Sequence, residues 1–240
     1  MKIIVILSLA LLFLVETKNL RKLLSVEERY EKLSATAIKE ALKKENVFVV
    51  DTRDNTISSL GYLPNTLLLP LTMAYSTWFP AVVDEGANII LICDENNFKE
   101  ALEQTEALGP YKIFGYAIYD EIVKKGEFEI KVAEYNENTL KDVDKLVEKQ
   151  KYLLDIRNIE EYKETGVIEG SHLIPLSTFK TEYKNIPNNE DIYIFCKGGG
   201  RALLAMSFLQ RAGYTFHLVV MKGGMAKTIN EGFPLVPYSE

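Results

Sequence analysis

The chain has 240 residues, 47% hydrophobic and 26% charged, a composition that supports a packed core, in one large domain or two small ones. Its net charge of -6 and pI near 5.2 argue against nucleic acid as a partner, which needs a basic face, yet leave room for a small cationic pocket. Two cysteines, Cys93 and Cys196, and two distant histidines, His172 and His217, are too few for a disulfide framework. They give no ligand spacing for a metal centre, so neither metal nor other cofactor is expected.

In chain order, Met1-Lys2 precedes an uncharged apolar run of 13 residues, Ile3 to Val15, interrupted only by Ser8. A bilayer-spanning helix needs roughly 20 apolar residues. The run fits the apolar segment of a secretory signal peptide, with residues 1–17 removed and a cut after Thr17. The expected destination is a secretory route: secreted, periplasmic or endomembrane lumen. No membrane contact is expected after cleavage, and an uncleaved segment would serve as an anchor.

Beyond this point the chain contains itself twice. Val49-Val50-Asp51-Thr52-Arg53 matches Leu153-Leu154-Asp155-Ile156-Arg157. The segment from Gly61 to Leu71 matches that from Gly166 to Leu176, Ile90 to Cys93 matches Tyr193 to Cys196, and Gly109 matches Gly213. All four pairs lie 103 to 105 residues apart. A repeat this long is a duplicated domain, since solenoid units are about 20 to 50 residues. The expected domains span residues 25–132 and 133–240, with a polar linker at Ala133 to Glu137.

Each copy alternates strand and helix signals. In the second, Tyr152 to Asp155 and Ile192 to Phe195 are short apolar runs of buried strands. Asn158 with Glu161 makes a capping box. Arg201 to Ala212 carries apolar residues at helical spacing and stops at Gly213, and His217 to Val220 is a further strand. The fold class is therefore α/β, each copy a parallel sheet with helices on both faces.

Cys196 follows a strand directly and precedes a helix. Ligands bind at the carboxyl ends of parallel strands. Lys197-Gly198-Gly199-Gly200 can turn successive N–H groups toward one point. The next helix adds its free N–H groups, and Lys197 and Arg201 add charge. Each element favours a thiolate at Cys196 and the binding of an anion.

With these residues the second copy resembles a rhodanese-homology domain over nearly its whole length. The shared features are Leu154-Asp155-Ile156-Arg157 with Glu161, the Gly166 to Pro175 segment, and the Phe195-Cys196 loop. Gly213-Tyr214, Gly223-Gly224-Met225 and Gly232-Phe233-Pro234 add to them. The resemblance implies a thiosulfate sulfurtransferase with Cys196 as nucleophile. Lys197, Gly198, Gly199, Gly200 and Arg201 would bind a small anionic donor, thiosulfate or a persulfide. A thiol or cyanide then accepts the sulfur. The family often has an aromatic residue near Thr228, a packing position. Asp155 supports the fold around the loop, and His172 reads as structural. Related phosphatases place five residues between cysteine and arginine where this chain has four, so phosphatase or arsenate reductase chemistry is a minor alternative. The main rival is a non-catalytic sulfur carrier or binding module.

The first copy keeps the frame and loses the site, as in tandem rhodanese-like proteins with one degenerate domain. Cys93 is followed by Asp94-Glu95-Asn96-Asn97-Phe98, without glycine, and Phe98 stands where Arg201 does. Tyr119-Asp120 replaces Gly223-Gly224. Two carboxylates beside a thiol oppose its ionisation. Cys93 is expected to be a packed strand-end residue in a scaffold that meets the second domain through Trp78 and Phe79.

Overall fold

The structure, a computed structural model, describes residues 24–239 except 73 and 127. The expected signal segment lies outside the described residues. Among these, no helix is long and apolar enough to cross a membrane.

The first half runs α1 (Val26–Arg29), β1 (Glu31–Lys32), α2 (Ala35–Ala41), β2 (Val47–Asp51), α3 (Asn55–Ser58) and β3 (Thr66–Leu68). It continues with α4 (Tyr75–Val82), β4 (Asn88–Cys93), α5 (Phe98–Ala107), β5 (Lys112–Ile118) and α6 (Tyr119–Gly126). The second half runs β6 (Glu134–Asn136), α7 (Leu140–Glu148), β7 (Tyr152–Asp155), α8 (Ile159–Thr165), β8 (His172–Leu173) and α9 (Phe179–Glu182). It ends with β9 (Ile192–Phe195), α10 (Gly200–Arg211), β10 (Leu218–Met221) and α11 (Gly224–Asn230). The first sheet has the order β1-β5-β4-β2-β3 and the second β6-β10-β9-β7-β8. All their pairings are parallel. The chain is thus two consecutive α/β domains of one topology, each a parallel sheet between helices. Central strands such as β4 (Asn-Ile-Ile-Leu-Ile-Cys) read as unbroken apolar runs because helices cover both faces.

The stretch expected to be a linker is not one. Ala133 is buried and its N–H bonds to Ser59 O of the first domain. Glu134–Asn136 is strand β6, paired in parallel with β10. Its polarity suits an edge strand, which periodicity over three residues could not reveal.

The repeated landmarks have a physical basis. Asp155, at the end of β7, accepts Arg157 Nε at 2.9 Å and Nη2 at 2.7 Å, and Nη2 also reaches Gly166 O at 2.9 Å. In the first domain Arg53 Nη2 bridges Asp51, at 2.7 Å, and Gly61 O, at 2.7 Å. All four ionic side chains are nearly inaccessible. Burial pushes each carboxyl pKa up and the guanidinium pulls it back. Removing either partner would leave an uncompensated buried charge. Each clasp therefore fixes the end of one strand against the turn that leads to the next.

The two halves share a continuous apolar core, and α10 lies at its centre. Its residues Ala202 to Leu209 are all buried, as expected of a helix with no solvent face. It packs on β9 and β10 of its own sheet and on β3 of the other. There Ser207 Oγ accepts the edge N–H of Leu68 at 3.0 Å and donates to Leu204 O. The β3 edge is thereby covered and hydrogen-bonded. Arg211, at the far end of α10, donates to Glu45 O and Val47 O and lies over Phe48. Lys180 on α9 donates to Val83 O at the end of α4.

Candidate functional site

Strand β9 ends at Phe195, so Cys196 opens the loop at the carboxyl edge of the second sheet. Its thiol is free and buried, 1% exposed. The chain then reverses over Lys197 and Gly198, both exposed, and enters α10 through Gly199. At Gly199 φ is 96°, a conformation costly for residues with a Cβ. That turn aims the Gly199 N–H at the Cys196 sulfur, 3.0 Å away. An N–H donor at this distance stabilises negative charge on sulfur, and the first turn of α10 adds its positive end.

A second turn clasps the loop from below. Met225 N–H donates to Cys196 O at 2.8 Å and Ala226 N–H to Lys197 O at 2.9 Å. This close approach requires glycine at position 224, where φ is 56° and a methyl group would overlap the Cys196 carbonyl oxygen. Asn138 holds this turn. Its Nδ2 donates to Gly224 O at 2.8 Å and to Lys222 O at 3.2 Å, while Thr228 Oγ1 donates to Asn138 Oδ1. Thr228, expected to pack, is 1% exposed and does so.

Arg201 does not stand as a free cation. Its Nη1 and Nη2 each bond a different oxygen of Glu161 at 2.7 Å, a bidentate pair. Burial opposes the charge on both partners, but the pair holds the Glu161 carboxyl below its usual range and raises Arg201. The Cys196 sulfur and Asp155 favour the Arg201 charge further. Glu161 also accepts the Asn158 N–H at 2.9 Å, so the capping contact and the ion pair share one carboxylate. Arg201 Cζ lies 5.6 Å from the centre of the Trp78 ring, which belongs to the first domain.

The structure therefore brings Cys196, Gly199 and Arg201 together with Glu161, and it places Lys197 and Gly198 at the loop tip with Gly200 opening α10. Glu161 as the partner of Arg201, and Asn138 as the holder of the turn, are new relative to the sequence reading. The capping pattern pointed to Glu161 for another reason. Asn138, buried and with φ of 56°, carried no signal in the sequence. His172 stacks on Tyr152 at 3.9 Å, away from the loop, and burial lowers its pKa. A cleft of about 600 Å³ between the domains is lined by Trp78, Pro80, Asn158, Ile159, Pro175 and Thr178. Among the described residues no group of three or more His, Cys, Asp or Glu is arranged to hold a metal.

The first domain fills the equivalent place. Cys93 is fully buried, and its pKa is pushed up to about 12, by burial first, with Thr52 lowering it and Asp51 and Asp94 raising it. Thr52 Oγ1 donates to its sulfur at 3.5 Å. The loop is tied by Asn97, whose side chain accepts the Asp94 N–H. Phe98 stacks on Tyr116 at 4.9 Å. Tyr119, at the position of Gly223, covers Arg53 with its ring centre 3.3 Å from the guanidinium carbon.

The rhodanese-like domain family model matches residues 139–231. A rhodanese domain-containing protein of Drosophila melanogaster is 35% identical over 85 residues, covering 30% of this chain and 76% of that protein. The chain belongs to the rhodanese-like domain family. A sulfurtransferase of Allochromatium vinosum is 29% identical over 84 residues, covering 35% of this chain and 77% of its own. Among solved structures, a rhodanese-related protein of Thermoplasma volcanium is 26% identical, with a TM-score of 0.38, over 44% of this chain and 99% of that one.

Proposed function

We propose that this rhodanese-like protein is a sulfurtransferase that moves a sulfane sulfur from thiosulfate or a persulfide to a thiol or cyanide through a persulfide on Cys196. The observation that carries the reading is the Gly199 N–H on the Cys196 sulfur, at a strand end beside the first turn of α10. The family and the sulfurtransferase of Allochromatium vinosum support the same class.

In the first step the Cys196 sulfur, as thiolate, attacks the outer sulfur of thiosulfate. A new S–S bond forms, the S–S bond of the donor breaks, and sulfite leaves with its electron pair. In the second step the acceptor attacks the outer sulfur of the persulfide, and Cys196 departs as thiolate. No net electron is consumed, so no redox cofactor is required. The Gly199 N–H faces the anionic sulfur and the first turn of α10 adds its positive end, as in covalent catalysis generally. Arg201 and Lys197 favour an anionic donor at the loop mouth. The first domain is a scaffold without chemistry of its own.

The test is steady-state turnover of thiosulfate with cyanide. The expected result is ping-pong kinetics in the full chain. A persulfide that forms without turning over would make the protein a sulfur carrier, and no persulfide at all would remove the reading.

A further inference from the structure

Trp78 is the only tryptophan in the chain, and it sits on α4 of the first domain, 9% exposed. Its ring lies within cation–π range of Arg201, at 5.6 Å. The Arg201 side chain is 11% exposed. Both groups are thus largely out of water, where such a contact is strongest. Arg201 is consequently held twice, by the Glu161 carboxylate of its own domain and by an aromatic face of the other.

We propose that Trp78 is a positioning residue for the Cys196 loop: by bearing on Arg201 it fixes the guanidinium at the first turn of α10, so that the domain without a site sets the charge environment of the domain that has one. The inference rests on the reading of Cys196 as the reactive thiol. It goes beyond that reading in giving the first domain a part in the chemistry through one side chain. A planar guanidinium is suited to this double hold, because it can pair with a carboxylate at its edge and meet an aromatic ring with its face. Loss of the ring leaves the Glu161 pair intact, so Arg201 stays charged but gains freedom. The expected consequence falls on attraction of anions to the loop rather than on the intrinsic reactivity of the sulfur.

The test uses the full-length chain and needs no sulfur donor. Cys196 is alkylated in parallel with iodoacetate, an anion, and iodoacetamide, its neutral analogue. Peptide mass spectrometry separates the product at Cys196 from any at Cys93. The ratio of the two rates reports the local cationic field. Trp78→Leu keeps the interface apolar and removes the ring's quadrupole, while Trp78→Phe keeps a ring. The ratio should fall about threefold or more in Trp78→Leu, the size of one cation–π contact, and recover most of that loss in Trp78→Phe. An unchanged ratio in folded Trp78→Leu protein would overturn the proposal. If Trp78→Leu does not fold, Arg201→Ala in the native background decides. The emission of the single tryptophan should shift, and an emission spectrum unmoved by Arg201→Ala would show that the two side chains do not bear on one another. Since neither readout depends on sulfur transfer, a failure here is distinct from a failure of the sulfurtransferase reading.

Discussion

Two strand ends of this molecule share one plan and differ in the residues after the cysteine. Both β4 and β9 are central strands of parallel sheets with the same order, and both deliver a cysteine to the carboxyl edge. Behind each lies the same aspartate–arginine clasp, Asp51–Arg53 and Asp155–Arg157. Past Cys196 the loop is rich in glycine, and a backbone N–H turns back onto the sulfur. Past Cys93 the chain is Asp94-Glu95-Asn96-Asn97, and a hydroxyl from the neighbouring strand end reaches the sulfur at the longer distance of 3.5 Å. The facing turn is Gly223-Gly224 in one domain, with Gly224 pressed against the loop carbonyls, and Tyr119-Asp120 in the other, with Tyr119 laid over Arg53. A parallel sheet thus places a cysteine at its carboxyl edge in both domains, and the backbone of the next few residues and the turn beneath them set the two surroundings apart. On the proposed function, that difference separates a reactive thiol from a packed one.

The largest effect expected from this comparison comes from the cysteines themselves. Cys196→Ser should abolish sulfur transfer in a protein that remains folded, whereas Cys93→Ser should leave it essentially intact. Turnover with thiosulfate and cyanide, with circular dichroism for the fold, distinguishes the two. Next is Gly224→Ala. A methyl group there meets the Cys196 carbonyl oxygen at a positive φ, and the strain costs roughly 1 kcal/mol even before the clash. The variant should lose most of its activity and also melt at a lower temperature, because the methyl group meets backbone that cannot move aside cheaply. A fully active Gly224→Ala protein would show that the turn does not hold the loop.

The first half of this comparison was legible from the residue string and the second only in part. The duplication, the parallel sheets and the loss of glycine and arginine after Cys93 all follow from local pattern and fixed offsets. Strand β6 was not legible, because two polar residues flanking an exposed tyrosine on a sheet edge look like a connection. The charge state of the site was not legible either. Arg201 was expected to offer its whole charge to a donor, yet Glu161, 40 residues earlier, already pairs with it. Side-chain pairing across such a separation is set by tertiary packing. The all-round burial of α10 is similar. Its apolar spacing announces a helix, while the second buried face belongs to a contact with β3 that no local period encodes.

The paired state of Arg201 sharpens a third expectation. Arg201→Ala should lower kcat/KM for thiosulfate by about tenfold, the worth of one charged hydrogen bond. Glu161→Gln should cost less than Arg201→Ala, because it loosens the cation without removing it. A larger loss in Glu161→Gln would mean that the carboxylate, not the guanidinium, is the group the reaction needs. The joint between the domains gives a fourth. Ser207→Ala leaves the buried Leu68 N–H without its acceptor, which should cost about 1–3 kcal/mol in thermal or denaturant unfolding. No change in stability would show that this edge finds another partner.

The smallest effect is a slope. Burial raises the Cys93 thiol to about 12, against about 8.5 in an unfolded chain. The neutral thiol is what the folded state holds. Its contribution is complete below the unfolded value and is lost as pH rises from there through the folded one. The stability of the wild type should therefore fall more steeply above about pH 8.5 than that of Cys93→Ala. Parallel slopes for the two proteins would mean that the Cys93 thiol is not shielded from water.

The central claim is that one cysteine of the pair carries sulfur and the other does not. It is tested most directly by intact and peptide mass spectrometry of the full chain after incubation with thiosulfate. The account predicts a mass increase of one sulfur atom, located on the peptide containing Cys196 and lost on addition of cyanide. A sulfur atom located on Cys93, or none on Cys196, would contradict it.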